Sequence, residues 1–117
     1  MATSQSRKHR GYRSQKVFAE YIRPLFPYAE PTGAGRQGRD ILSTPGVSFE
    51  LKARRGFSPL AAVKQAKDEA GPDVPVAILR MDGQGEKSIG QWLAVMDVDT
   101  LLRLLKEAGY AAEEDAG

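Results

Sequence analysis

The first apolar pattern in the chain has helical spacing. Five apolar side chains recur at intervals that place them on one side of a helix: Val17, Phe18, Tyr21, Ile22 and Leu25. This spacing predicts a first helix over residues 12–25. Pro24 and Pro27 mark its end, because proline cannot continue the hydrogen-bond ladder of a helix.

Alternating apolar and polar positions follow, and they predict two short strands. The strands are expected over residues 40–43 and 47–53, joined through Thr44, Pro45 and Gly46. Proline and glycine are typical turn residues, so the two strands are expected to be neighbours in one sheet.

The middle of the chain predicts a helix followed by two more strands. The helix over residues 60–70 has Ser58 in the N-cap position and Pro59 at its first position, and both residue types are preferred there. A mostly apolar strand is expected over residues 74–81 and an alternating strand over residues 91–96.

The last predicted helix covers residues 99–108 and ends at Gly109. Four leucines are expected to face the core: Leu101, Leu102, Leu104 and Leu105. Trp92, in the preceding strand, is also expected in the core. The order helix, strand, strand, helix, strand, strand, helix indicates a small α/β or α+β fold, with a mixed sheet flanked by helices.

The length and composition restrict the class of protein. At 117 residues the chain can form one core, so we expect a single domain over residues 11–110. It has no cysteine, which excludes thiolate metal sites and is typical of a reducing cytoplasm. No apolar run approaches the ~20 residues that span a bilayer, and no signal-peptide pattern is present. We therefore expect a cytoplasmic protein, in the host cytoplasm if a phage encodes it.

The net charge of +2 conceals an uneven distribution. Residues 1–55 carry 11 Lys and Arg against 4 Asp and Glu, a balance of +7, and residues 56–117 carry 6 against 11, a balance of −5. The basic half predicts a polyanionic partner. At the two ends we expect a flexible basic arm over residues 1–10 and a disordered acidic tail over residues 111–117.

Three charged residues of the basic half form a candidate catalytic pattern. Glu50 and Lys52 are two positions apart in a predicted strand, so their side chains share one face, and Asp40 comes from the strand before. Two carboxylates can hold Mg²⁺ through oxygen, and an adjacent lysine can stabilise the charge that develops in phosphodiester hydrolysis. The alternative is a solvated charge pair on an edge strand, where charges discourage aggregation.

These residues carry a family resemblance. With Gly38-Arg39-Asp40, Phe49-Glu50-Leu51-Lys52 and Gln65 on the next helix, residues 10–81 resemble the PD-(D/E)XK nuclease superfamily. Within it, the chain is most similar to the phage and archaeal branch that resembles Holliday-junction resolvases. The resemblance implies a restriction-endonuclease-like αβββαβ core, here with an extra C-terminal strand and helix. It also implies an Mg²⁺-dependent endodeoxyribonuclease, in which Mn²⁺ often substitutes, acting as a homodimer in DNA recombination, repair or processing. It implies no organic cofactor.

The resemblance also assigns roles by position. Asp40 and Glu50 would be the metal ligands, with the main-chain carbonyl of Leu51 as a third oxygen. Lys52 would be the catalytic lysine, and Gln65 would support the site from the helix that follows.

The sequence departs from the family pattern in two places. Arg39 occupies the position at which the PD-(D/E)XK pattern has proline. The resolvases usually carry a glutamate on the first helix, and the corresponding residue here is Gln15. On a helical wheel Gln15 lies roughly 90° from the centre of the apolar stripe, and Glu20, the alternative carboxylate, roughly 130°. We therefore expect Gln15 to face the site and Glu20 to face solvent. A neutral amide at this position argues against a second metal ion.

The connection between the two strands decides whether the two acids share a face. With Pro45 and Gly46 as the central residues of a turn, Asp40 would lie opposite Leu51, and Glu50 would point to the other face. A three-residue loop would instead place Asp40 opposite Glu50. We expect an irregular loop or a bulge that restores the common face.

DNA, in a branched form, is the expected partner. Eight basic residues are expected to contact its phosphates: Arg7, Lys8, Arg10, Arg13, Arg36, Arg39, Arg54 and Arg55. No base-reading motif is present, so recognition would depend on DNA structure rather than on base sequence. Two other classes stay open, a DNA-binding module without catalysis and a structural adaptor that does not bind DNA.

Overall fold

The computed structural model describes residues 4–33, 38–53 and 58–110, with side chains from residue 11 onward. The elements follow in this order: α1 (Ser4–Tyr21), β1 (Glu30–Pro31), β2 (Ile41–Leu42), β3 (Val47–Lys52), α2 (Pro59–Ala70), β4 (Val74–Leu79), a 3-10 helix (Glu86–Gln91), β5 (Leu93–Val95) and α3 (Val98–Glu107). The chain is a mixed α/β protein with small sheets flanked by helices, as predicted. β1 and the 3-10 helix have no counterpart among the predicted elements.

The larger sheet is mixed and has the strand order β3, β4, β5. β3 and β4 run parallel, with Phe49 opposite Val76 and Leu51 opposite Ile78, whereas β5 runs antiparallel to β4. Helix α2 makes the crossover between the two parallel strands, which a short turn could not make. β1 and β2 form a separate antiparallel pair.

Different helices bury the two faces of this sheet. On one face α1 contributes Phe18, whose ring meets that of Phe49 edge-on at 5.1 Å between centroids. On the other face Ala62 and Val63 of α2 pack against Ala77 of β4. Each face of the sheet is therefore covered by one helix.

Helix α1 differs from the predicted first helix at both ends. It begins at Ser4, so residues 4–10, expected as an arm, are helical. These residues include Gln, Arg and Lys, which favour helix, and contain no proline. The helix ends at Tyr21 rather than at residue 25, because the residue that precedes Pro24 is disfavoured in a helical conformation. None of the described helices is long and apolar enough to cross a membrane.

The predicted packing of α3 is wrong. Three of its four leucines are more than a third exposed: Leu101, Leu102 and Leu105. None of the residues of α3 is buried. Helices α1 and α2 already cover the two faces of the sheet, and α3 lies outside both buried clusters. At its start Asp97 forms an ion pair of 2.7 Å with Lys67 of α2.

Candidate active site

The alternation along β3 places its charged side chains on the α2 side of the sheet. Phe49 and Leu51 pack into the cluster on the α1 side, whereas Glu50 is buried on the opposite face. Lys52 follows Glu50 on that face and reaches Gln65 of α2 at 2.9 Å. Glu50 and Lys52 therefore share a face, as predicted.

Helix α2 begins as the sequence predicts, and it holds Gln65 above this face. The Ser58 hydroxyl accepts a hydrogen bond of 3.2 Å from Ala61 N–H, and Pro59 is the first helical residue. Gln65 Oε1 accepts the hydrogen bond from Lys52 Nζ. The predicted supporting residue thus contacts the predicted catalytic lysine.

Glu50 is the most deeply buried charged residue of the site, at 2% exposure. One carboxylate oxygen, Oε2, lies 3.1 Å from Lys52 Nζ, and the other, Oε1, is buried without a hydrogen-bond partner. Burial, followed by the charge of Asp40, raises the pKa of Glu50 to about 8, although Lys52 acts in the opposite direction. An ionised Glu50 is therefore unfavourable unless a further positive charge is present.

Asp40 is held beside β3 by the main chain. Its N–H donates to Phe49 O at 3.3 Å, and its Oδ2 accepts a hydrogen bond of 2.7 Å from Leu51 N–H. Burial raises the pKa of Asp40, whereas the Leu51 N–H and the charge of Lys52 lower it. The charge of Asp40 is close enough to raise the pKa of Glu50, so the two acids interact.

The main chain of Leu51 presents an oxygen to the same edge. Its N–H points at Asp40, whereas the carbonyl of the next residue, Lys52, accepts from Arg80 N–H on the β4 side at 2.8 Å. Because the N–H and C=O of one strand residue point the same way, the Leu51 carbonyl faces the Asp40 edge. This placement suits the predicted third oxygen.

The connection between β2 and β3 contains the regular turn centred on Pro45 and Gly46 rather than the expected irregular loop, and the irregularity lies before it, at Ser43. Residues 44–47 form a turn closed by a 3.0 Å hydrogen bond between its ends, with Gly46 at a φ of +85° in its second central position. This turn alone would separate Asp40 from the face of Glu50. Ser43, however, has a φ of +64°, which interrupts the strand, and β2 pairs with β1 instead of β3. The position of Asp40 relative to β3 is therefore not fixed by a regular strand pairing between β2 and β3.

The residues of α1 lie less directly at the site. Gln15 is half-buried, and its Oε1 has no hydrogen-bond partner, whereas Glu20 is exposed, as predicted. The fully buried Ser14 accepts a 2.9 Å hydrogen bond from Arg80, whose N–H donates to Lys52 O. A hydrogen bond thus joins α1, next to Gln15, to the residue that binds the end of β3, although no hydrogen bond links Gln15 to Asp40 or Glu50 in the part of the chain that the structure describes.

Arg39, predicted to bind phosphate, makes three contacts with residues at the end of α2 and just after it. Its Nη2 donates to Ala70 O at 2.8 Å, its Nε donates to Glu69 O at 3.3 Å, and its Nη1 lies 2.7 Å from Asp73 Oδ2. These contacts satisfy main-chain carbonyls at the end of α2, which lack partners within the helix. Since Asp40 is the next residue, the guanidinium clamps the Asp40 segment to α2.

Replacing this arginine is expected to destabilise the fold. Arg39→Ala leaves the carboxylate of Asp73 and the Glu69 carbonyl without this partner, whereas Ala70 O keeps the N–H of Asp73, and we expect the free energy of unfolding to fall by about 2 kcal/mol. Arg103→Ala, on the exposed face of α3, is the control and should change it by less than about 0.5 kcal/mol. Urea unfolding followed by circular dichroism measures both free energies. An equal change in the two variants would contradict a stabilising role for the Arg39 contacts.

The other predicted phosphate contacts are only partly described. Arg13 donates two hydrogen bonds to Glu86, at 2.8 and 3.0 Å, and this ion pair lowers the pKa of Glu86. The side chains of Arg7, Lys8 and Arg10 and the whole of Arg36, Arg54 and Arg55 lie outside the described residues. The acidic tail over residues 111–117 also lies outside them.

The oxygen atoms around Asp40 and Glu50 fit a hard divalent cation. Glu50 Oε1 is buried without a donor, a second carboxylate lies near it, and the Leu51 carbonyl faces the same edge. Within the described ranges, no three His, Cys, Asp or Glu side chains form a ready group of ligands. Two carboxylates and waters are nevertheless a common set for Mg²⁺ in proteins.

Comparison with known proteins adds no relative to this picture. No protein-family model matches the chain, and searches of curated proteins and of solved structures find no match.

Proposed function

We propose that this protein is a metal-dependent endodeoxyribonuclease of the PD-(D/E)XK type. The observation that carries the proposal is the Glu50 carboxylate, which is buried with one oxygen unpartnered, beside Asp40 and in contact with Lys52. The order α1, β1, β2, β3, α2, β4 is the αβββαβ order that the resemblance implies, and it supports the proposal. β5 and α3 would be the additional C-terminal strand and helix.

The roles of the residues follow from their contacts. Asp40, Glu50 and the Leu51 carbonyl would hold Mg²⁺ or Mn²⁺. When bound, such an ion neutralises charge on the scissile phosphate and acidifies a water molecule. Lys52, held between Glu50 and Gln65, presents an ammonium group that stabilises the charge developing on the phosphate. Gln65 fixes the position of that ammonium group.

The proposed substrate is DNA, with structure-selective cleavage in the manner of a Holliday-junction resolvase. The support is the balance of +7 in residues 1–55, which contain both carboxylates. Arg13 and Arg39 are left out of the proposed DNA-binding set, because their guanidinium groups are engaged by Glu86 and by the end of α2. A homodimer acting in the cytoplasm belongs to the same proposal, because a four-way junction has two-fold symmetry that a dimer matches.

A cleavage assay over branched and linear DNA, with Mg²⁺ or Mn²⁺, tests the proposal. Asp40→Asn and Lys52→Ala should each reduce cleavage at least about 100-fold, since the first removes a carboxylate that would hold the metal ion and the second removes the ammonium group that would stabilise the developing charge. Lys64→Ala is a matched control, because Lys64 is an exposed lysine of α2 that pairs with Asp68; it should retain activity within about twofold. Cleavage that survives both site substitutions would refute the proposal.

The uneven charge supports one other function, a DNA-binding module that lacks catalysis. Such a module would retard DNA in a gel at low salt but would bind neither Mg²⁺ nor Mn²⁺. Titration of the protein with Mn²⁺ by calorimetry therefore separates the two functions.

A further inference from the structure

A third carboxylate, that of Glu69, lies on the face of α2 that covers the site. Gln65, which contacts Lys52, is one helical turn before Glu69, so the two side chains are neighbours on the helix surface. The main-chain carbonyl of Glu69 accepts a hydrogen bond from Arg39 Nε. Since Arg39 precedes Asp40, the clamp also fixes the distance between Glu69 and the Asp40 segment.

Among the described residues, no hydrogen bond or ion pair explains the position of the Glu69 carboxylate. Its Oε1 is buried without a hydrogen-bond partner, and no lysine or arginine among the described residues forms an ion pair with it. The Glu50 side chain, 3% exposed, also has an unpartnered Oε1. Buried carboxylate oxygens without donors are costly, so two of them at one site indicate a ligand that supplies positive charge.

The electrostatics agree with this geometry. The charge of Glu69 raises the pKa of Asp40 and that of Glu50, although burial is the larger cause in both. The three carboxyl groups therefore interact, yet they do not converge as one group of direct ligands among the described residues. A contribution from Glu69 would thus be electrostatic.

We propose that Glu69 is a positioning residue of the cation site, whose carboxylate strengthens the binding of a divalent cation at Asp40 and Glu50. This inference rests on the proposed function. Glu69, on α2, would supply a third negative charge to the site. Gln15, on α1, is neutral and cannot supply it. The expected ligand is a hard divalent cation, Mg²⁺ or Mn²⁺.

Mn²⁺ affinity, measured from the electron paramagnetic resonance signal of free Mn²⁺, tests the inference without DNA or catalysis. Glu69→Gln keeps the shape and removes the charge, and it should weaken Mn²⁺ binding about tenfold. Asp68→Asn is the matched control, because Asp68 is the preceding residue, exposed and paired with Lys64; it should change the affinity less than about twofold. Glu69→Asp keeps the charge and should stay within about threefold of the unmodified protein.

The outcomes separate this inference from the proposed function. If Asp40→Asn abolishes Mn²⁺ binding while Glu69→Gln binds like the unmodified protein, the role of Glu69 is refuted and the nuclease proposal stands. If Glu69→Asp binds as weakly as Glu69→Gln, shape rather than charge matters, and the inference is also refuted. If the unmodified protein does not bind Mn²⁺, both the role of Glu69 and the nuclease proposal are refuted. Thermal melting of the metal-free variants should show Glu69→Gln at least as stable as the unmodified protein, because it loses a repelling charge.

Discussion

Replacing Glu50 by glutamine will stabilise the metal-free protein at alkaline pH and abolish its cation-dependent activity. Glu50 is 2% exposed, and its pKa is raised to about 8, so above this pH the fold must hold a charge in an unfavourable position. Lys52 favours the charge but does not offset the burial. Glutamine has the same shape and no charge, so we expect the free energy of unfolding at pH 9 to rise by about 1–3 kcal/mol.

Urea unfolding with EDTA at pH 9 and pH 5.5 measures this effect. At pH 5.5 the folded protein holds Glu50 protonated, so the advantage of glutamine should largely disappear. Glu20→Gln, at an exposed position on α1, is the control and should have little effect at either pH. Cleavage of DNA by Glu50→Gln should fall at least about 100-fold. A variant less stable than the unmodified protein at pH 9 would show that the Glu50 charge is structural rather than functional.

The stability of the metal-free protein will fall as the pH rises from about 5 to about 8. The folded pKa of Glu50 lies above its ordinary value of 4.5, so in this window the folded state retains a proton that the unfolded state has lost. The folded state is therefore favoured at the acid end, and the stability is lost as the pH rises through the folded pKa, at up to about 1.4 kcal/mol per pH unit. The raised pKa of Asp40 acts in the same direction.

Urea unfolding in EDTA at intervals between pH 5 and pH 9 gives the slope. The lowered pKa of Glu86 contributes only below its ordinary value, so it does not mask the effect. In Glu50→Gln the slope should be much smaller. Saturating Mn²⁺ at pH 8 should restore stability, because a ligand that binds only the folded state stabilises it. A stability that is constant or rises over this range would contradict the burial of an uncompensated carboxyl group.

Local signals in the sequence predict the elements that form the site. The alternation along β3 places Glu50 and Lys52 on one face, and the N-cap residue Ser58 marks the start of α2. Both features depend on residues that are close together in the sequence, so the order of apolar and polar residues is enough to predict them. The turn at residues 44–47 shows the limit of such signals, because its chemistry allows two registers. The structure contains the turn centred on Pro45 and Gly46, and the φ of +64° at Ser43, which nothing in the local sequence predicts, interrupts the strand before it.

The remaining features depend on tertiary contacts that no local pattern contains. The leucines of α3 form an apolar stripe, but this stripe does not show that α1 and α2 already cover the two faces of the sheet. The sequence does not distinguish Arg39 from the other basic residues, because its partners at the end of α2 are about 30 positions away. Glu69 is four residues after Gln65, and this helical spacing is the signal that could have identified it.

The most direct test of the cation site is an anomalous difference map from crystals soaked in Mn²⁺. We expect a peak within about 2.0–2.6 Å of carboxylate oxygens of both Asp40 and Glu50. Crystals of Asp40→Asn, soaked in the same way, should lack it. Absence of a peak in the unmodified protein, with the two carboxylates turned away from each other, would contradict the account.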